Sequence, residues 1–182
     1  MSILRWLFSL SLAGLGVAGA AEVRLPLEAG EWTRQVRLPE GVSEDEAVTL
    51  RVEPCGAGRC LVAGPWWAGS SGARLAFSRP LPFVEATVQG RYRTENLYPR
   101  QAVVRVDFLA GEQTLASRSF SLAPAGRWTG FRFPVFRAPS KADSIRISFG
   151  LHELTPGRVW FTDLAAAQGY EPPVFPEKPP PL

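Results

Sequence analysis

Three features of the chain predict an antiparallel β-sandwich. Apolar side chains alternate with period two along most of its length, turn residues recur at short intervals, and no window carries a helical apolar stripe. In order, AVTLRVE places Val48, Leu50 and Val52 on one face, and VEATVQGRYR does the same for Val84, Ala86, Val88 and Tyr92. AVVRVDF aligns Val104, Val106 and Phe108, and IRISF aligns Ile145, Ile147 and Phe149 with Arg146 and Ser148 opposite. VWFTD closes the series with Val159 and Phe161. Trp32, in GEWTRQV, reads as a core or edge residue of the first strand. FLAGEQTL is a hairpin turn around Gly111. Prolines 80, 82, 99, 124, 134, 139 and 156 punctuate the runs.

The ends have a different composition. Arg5 precedes the apolar run Trp6 to Val17, too short for a stable span, and Ala18, Gly19 and Ala20 fit a small-residue cleavage site. Residues 1–20 are therefore expected to be a removed export signal, residues 21–169 one β-sandwich domain, and 170–182 (YEPPVFPEKPPPL starts at Tyr170) an extended proline-stiffened tail or linker. The protein is expected to be secreted or periplasmic. Cys55 and Cys60 enclose Gly-Ala-Gly-Arg, and in an oxidising compartment such a pair forms a local disulfide that pins one loop. The spacing is not C-x-x-C, and no His or Cys cluster accompanies it, so redox and zinc chemistry have little support.

The formal net charge of +3 falls to +2 without Arg5, which is no polyanion-binding excess. The cations are 18 Arg and 2 Lys, a bias that a GC-rich genome also produces. The sequence holds no phosphate loop and no aromatic-basic ribonucleoprotein motif, so no nucleic-acid partner is expected.

The segments LPFVEATVQGRYRTEN, AVVRVDFLAGEQTLASRSFSLAPAGRWTGFRFPV and ADSIRISFGLHELTPGRVWFTDLAAAQ, in this order, resemble the carbohydrate-binding-module jelly rolls of the galactose-binding-like superfamily, the type attached to glycanases. The resemblance spans roughly residues 30–168 and rests on GRW at 126–128 and GRVWFTDLAAA at 157–167. It implies a jelly-roll topology, a poly- or oligosaccharide partner and an attached or partner enzyme domain. It also implies a structural calcium held in part by Asp163, where this chain has Thr162-Asp163 in place of an Asp-Asp doublet. Glu22, Glu28 and Glu31 lie near the N-terminus, but the usual Phe-Glu is missing, and a hard cation needs six to eight oxygens.

Catalysis finds little support. The single histidine, His152, has no nucleophile marked for it, and Glu85, Glu95, Asp107, Glu112 and Glu153 form no distinguished carboxylate pair. Tyr92, Arg93 and His152 leave a lyase as the enzymatic alternative. A sugar site needs an exposed flat ring and polar groups around it. In GPWWAGSSG, Trp66 and Trp67 sit in a Gly- and Ser-rich setting and read as ring candidates, with core packing as the rival. Gln89, Arg91 and Arg93 share the polar side of their strand, and Tyr98 follows in the next loop. The expected ligand-binding set is thus Trp66, Trp67, Gln89, Arg91, Tyr92, Arg93 and Tyr98, with no catalytic residue. Arg105, Asp107 and Arg146 also face away from the core, and one Arg-rich surface results if these strands share a sheet. The leading function is non-catalytic glycan binding, and the alternative is a structural or protein-interaction domain.

Overall fold

The structure, a computed structural model, describes residues 22–25, 32–37, 48–56, 58–66, 74–152 and 155–169. The expected export signal (1–20), Trp67 and the proline-rich tail (170–182) lie outside these residues. The described strands are β1 (Glu22–Arg24), β2 (Thr33–Arg37), β3 (Val48–Cys55), β4 (Gly58–Trp66), β5 (Arg74–Leu81), β6 (Ala86–Glu95), β7 (Ala102–Ala110), β8 (Gln113–Ser121), β9 (Thr129–Val135), β10 (Ser144–Leu151) and β11 (Arg158–Gln168). They form two antiparallel sheets. Sheet I runs β3-β4-β11-β6-β9, with β1 added beside β11, and sheet II runs β2-β5-β10-β7-β8. The result is the expected β-sandwich. Among the described strands only β3–β4 and β7–β8 pair as consecutive neighbours, so most of them cross from one sheet to the other, as a jelly roll requires.

The core fills from the alternation. Val88, Phe161 and Leu61 of sheet I meet Val104, Phe108, Ile145, Ile147 and Phe149 of sheet II, all essentially without exposure. Phe149 is the hub, with its ring 5.7 Å edge-on from Trp32, 5.4 Å from Phe161 and 6.2 Å from Phe131. Trp32 is therefore a core residue. Tyr92 also turns inward and donates its hydroxyl to the Ala123 carbonyl at 2.9 Å, and burial pushes its pKa up.

Three places differ from what the sequence suggests. Residues 64–66, in the Gly- and Ser-rich setting of the tryptophan pair, complete β4 between β3 and β11. Here the chain passes so close to its neighbour that a Cβ on Gly64 would meet the Gly157 carbonyl oxygen, and one on Gly157 would meet those of Glu95 and Asn96. Pro80 and Pro134 lie inside strands rather than between them. Pro134 is on edge strand β9, and Pro80 lies beyond Ser78, where pairing with β2 stops, so neither removes a ladder bond on both sides.

Phe149→Ala is expected to cost about 3–5 kcal/mol in urea unfolding. Tyr92→Phe, which deletes one buried hydrogen bond, should cost about 1 kcal/mol. Gly157→Ala, unable to avoid two backbone oxygens, should lower the melting temperature, whereas Gly126→Ala, with open space around its Cα, should not.

Candidate functional site

The outward side of sheet I carries a row that the register sets. Arg51 of β3 lies opposite Val62 of β4, Val62 opposite Trp160 of β11, and Trp160 opposite Arg93 of β6. Trp128, one residue before β9, extends the row. Trp160 is only 5 % exposed although it points away from the core, because Cys60 and Val62 pack beside it and Cys55 and Trp128 close the cluster. The Cys55–Cys60 disulfide forms one wall of this small second core. The Arg93 guanidinium lies over Trp160 at 4.4 Å and stands 5.7 Å from the Trp128 ring, with Arg91 at 6.0 Å on the same ring. The Trp160 indole N–H donates to Glu53 Oε1 at 2.9 Å, and Arg51 donates to Glu53 Oε2 at 2.6 Å.

Beside this row β11 bulges. Its register with β6 shifts between Thr162 and Ala165, and Asp163 adopts a left-handed backbone with φ 52°. Asp163 is thereby turned into solvent, 3.8 Å from Arg91. Arg91, Trp128, Thr162, Asp163 and the disulfide loop enclose a cavity of about 410 Å³.

Sheet II presents a different face. Arg105 Nε donates to Asp107 Oδ1 at 2.6 Å, Arg105 Nη2 donates to Ser117 Oγ at 2.7 Å, and Ser117 Oγ donates to the same Asp107 oxygen at 2.5 Å. This closed triangle fixes all three side chains. Asp107 is only 5 % exposed and Ser148, next to Arg105 across the ladder, only 3 %, although both point away from the core. The Ser148 hydroxyl has no hydrogen-bond partner among the described residues.

The structure therefore divides the expected residues. Gln89, Arg91 and Arg93 share the outward face of sheet I, as parity requires. Arg105, Asp107 and Arg146 lie on sheet II, so the single Arg-rich surface does not form and the two groups sit on opposite sides of the sandwich. Tyr92 is the correction within the ligand set, since its ring is in the core and cannot stack on a ligand. Its neighbour Arg93 points the opposite way, so the lyase group of Tyr92, Arg93 and His152 does not assemble on one surface. Tyr98 is 72 % exposed in the loop after β6, where its backbone N–H binds Gln101 Oε1. Trp66 ends β4 at the same end of the sandwich, and its side chain is outside the description.

Asp163 faces the Arg91 guanidinium, and no three His, Cys, Asp or Glu residues gather around an ion among the described ones, while Glu28 and Glu31 lie outside them. Trp128, Trp160, Glu53 and Ser148 stand outside the ligand set expected from the sequence. Trp160 had a signal, since Val159-Trp160-Phe161 and Cys60 to Ala63 are apolar at consecutive positions and so mark strands covered on both faces.

Burial would raise the Glu53 pKa, but the bonds from Trp160 and Arg51 and the charges of Arg51 and Arg158 outweigh it, so its carboxyl lies below the ordinary value of 4.5. A depressed folded-state pKa contributes stability above the unfolded value, and this is lost as pH falls through the folded one. Melting curves between pH 7 and pH 3 should therefore drop less steeply for Glu53→Gln than for the wild type.

No protein-family model matches the sequence, and no curated protein matches it. Solved structures do. A family 11 carbohydrate-binding module from Clostridium thermocellum, in complex with a β-1,3-1,4-mixed-linked tetrasaccharide, aligns with 85% of this chain and 99% of its own at TM-score 0.56 and 12% identity. A family 29 module complexed with cellohexaose aligns with 84% of this chain and 94% of its own at TM-score 0.54 and 10% identity. The enzymatically active domain of tailspike protein 4 from bacteriophage CBA120 aligns with 79% of this chain at TM-score 0.55 and 12% identity, and this chain spans 20% of that one. The fold is that of the family 11 and family 29 carbohydrate-binding modules.

Proposed function

We propose that this chain is an exported, non-catalytic glycan-binding domain whose saccharide chain lies along the outward face of sheet II. The observation that carries the reading is the recessed polar surface there. Asp107, Ser117 and Arg105 are held by one another in fixed orientations, so their remaining lone pairs and N–H groups meet a row of sugar hydroxyls without further ordering. Ser148 supports the same reading. A buried hydroxyl without a partner costs about 1–3 kcal/mol and calls for an explanation, and a ligand hydroxyl entering between the flanking side chains supplies the missing bond. Trp67, which precedes β5 of this sheet in the sequence, is the ring we propose for stacking on the sugar. The family 29 and family 11 modules were solved with cellohexaose, mannohexaose and a mixed-linked tetrasaccharide, which makes neutral β-glycans the ligands to try. Asp107 is occupied by Arg105, and no described carboxylate pairs with it for acid–base work. Export is supported by the Cys55–Cys60 disulfide. The protein-interaction alternative draws less support, since Tyr98 is the one exposed large hydrophobic residue among those described, and one ring is not a patch.

Affinity gels and calorimetry with cellohexaose, mannohexaose and mixed-linked β-glucan test this. The wild type should bind at least one of them and release no reducing ends. Ser148→Ala should weaken binding about two- to tenfold while the melting temperature holds or rises, because the substitution removes an unsatisfied buried group. Trp67→Ala should weaken binding by up to about a hundredfold if its ring stacks on the sugar. Lack of binding to all three ligands, or turnover of any, would defeat the reading.

A further inference from the structure

The cavity on the opposite face, outside sheet I, is built from other materials. Arg91, Trp128, Thr162 and Asp163 converge on about 410 Å³ behind the disulfide loop, a volume within the range of small-molecule sites, about 300–1,000 Å³. Three observations show a built site. Asp163 reaches it only through a bulge and a left-handed backbone that a non-glycine residue rarely adopts. Trp128 is held beside Arg93, whose guanidinium stands 5.7 Å from its ring and lies 4.4 Å over Trp160. Arg91 and Asp163 stand 3.8 Å apart, beyond hydrogen-bond distance, and each is more than half exposed, so both keep donors and acceptors for a third party.

We infer that this cavity binds one residue of an acidic saccharide, a uronate. Its carboxylate pairs with the planar fork of Arg91, with Arg93 adding a second positive charge beside the Trp128 ring. The C–H face of the sugar lies on the part-exposed Trp128, and its hydroxyls donate to Asp163. Asp163 is what selects a sugar over a denser polyanion, because a second carboxylate in the cavity repels phosphate or sulfate arrays but accepts hydroxyl groups. The site is separate from the sheet II surface and does not depend on it.

The mature chain is run in affinity gels containing polygalacturonate, alginate, the carboxyl-reduced form of each polymer, or heparin, at about 0.15 M salt. At least one polyuronate should retard the wild type, and its carboxyl-reduced form should bind about tenfold more weakly or worse. Arg91→Gln, at an exposed position, should reproduce that loss with an unchanged melting temperature and unchanged affinity for neutral hexaoses. Asp163→Asn gives the sharpest reading. If the arginines merely attract anions, removing a negative charge strengthens binding; if Asp163 accepts sugar hydroxyls, polyuronate binding weakens. The inference is overturned if neither polyuronate binds, if carboxyl reduction or Arg91→Gln has no effect, if Asp163→Asn strengthens polyuronate binding, or if heparin binds more tightly than either polyuronate.

Discussion

Strand β11 is covered on both faces, and much of sheet I is arranged around that constraint. Val159 and Phe161 enter the main core while Trp160, between them, must be covered from outside. No helix or third sheet among the described residues does this. The cover is made from a disulfide, Val62 and a guanidinium, and the Trp160 N–H finds its acceptor on β3, two strands away. The need to cover one indole thus fixes Glu53, Arg93 and the Cys55–Cys60 loop together, and brings Trp128 up against the result. A cation serves where an aliphatic side chain would, because it shields the ring and still presents a charge to water.

Strand faces were legible in the sequence because period two is a local property. Val104, Val106 and Phe108, or Ile145, Ile147 and Phe149, are buried as their spacing says. Parity does not say which sheet a strand joins. Gln89 and Arg105 both face outward, yet β6 and β7 belong to different sheets, and nothing near either residue records the crossing. The apposition of Arg93 with Trp128 and Trp160 joins positions 35 and 67 residues apart, set by the pairing order alone. Residues 64–66 misled for another reason. Gly and Pro are turn formers by local preference, but here Gly64 is needed for close approach to Gly157. Ser148 could not be found at all, since an unsatisfied hydroxyl is a property of its surroundings.

The two polar faces also differ in how they are ordered. On sheet II the Arg105–Asp107–Ser117 triangle is short-range and internally matched, and it lies low enough that Asp107 is nearly closed from solvent. On sheet I the charges are looser. Arg91 and Asp163 are set by strand register and a bulge rather than by each other, and stay hydrated. A sandwich keeps such surfaces apart, since its sheets pack about 10 Å from one another and their outward side chains point in opposite directions.

Strand β1 has a consequence for how the domain is carried. It runs antiparallel beside the end of β11, with Glu22 opposite Ala167 and Arg24 opposite Ala165. Glu22 and Gln168 therefore lie side by side at one corner, at the pole away from the loops 96–101 and 122–128. A body joined at this corner holds the sandwich from one pole and leaves its two broad flanks facing their surroundings. The same adjacency makes the domain suitable for circular permutation by a short linker between these ends.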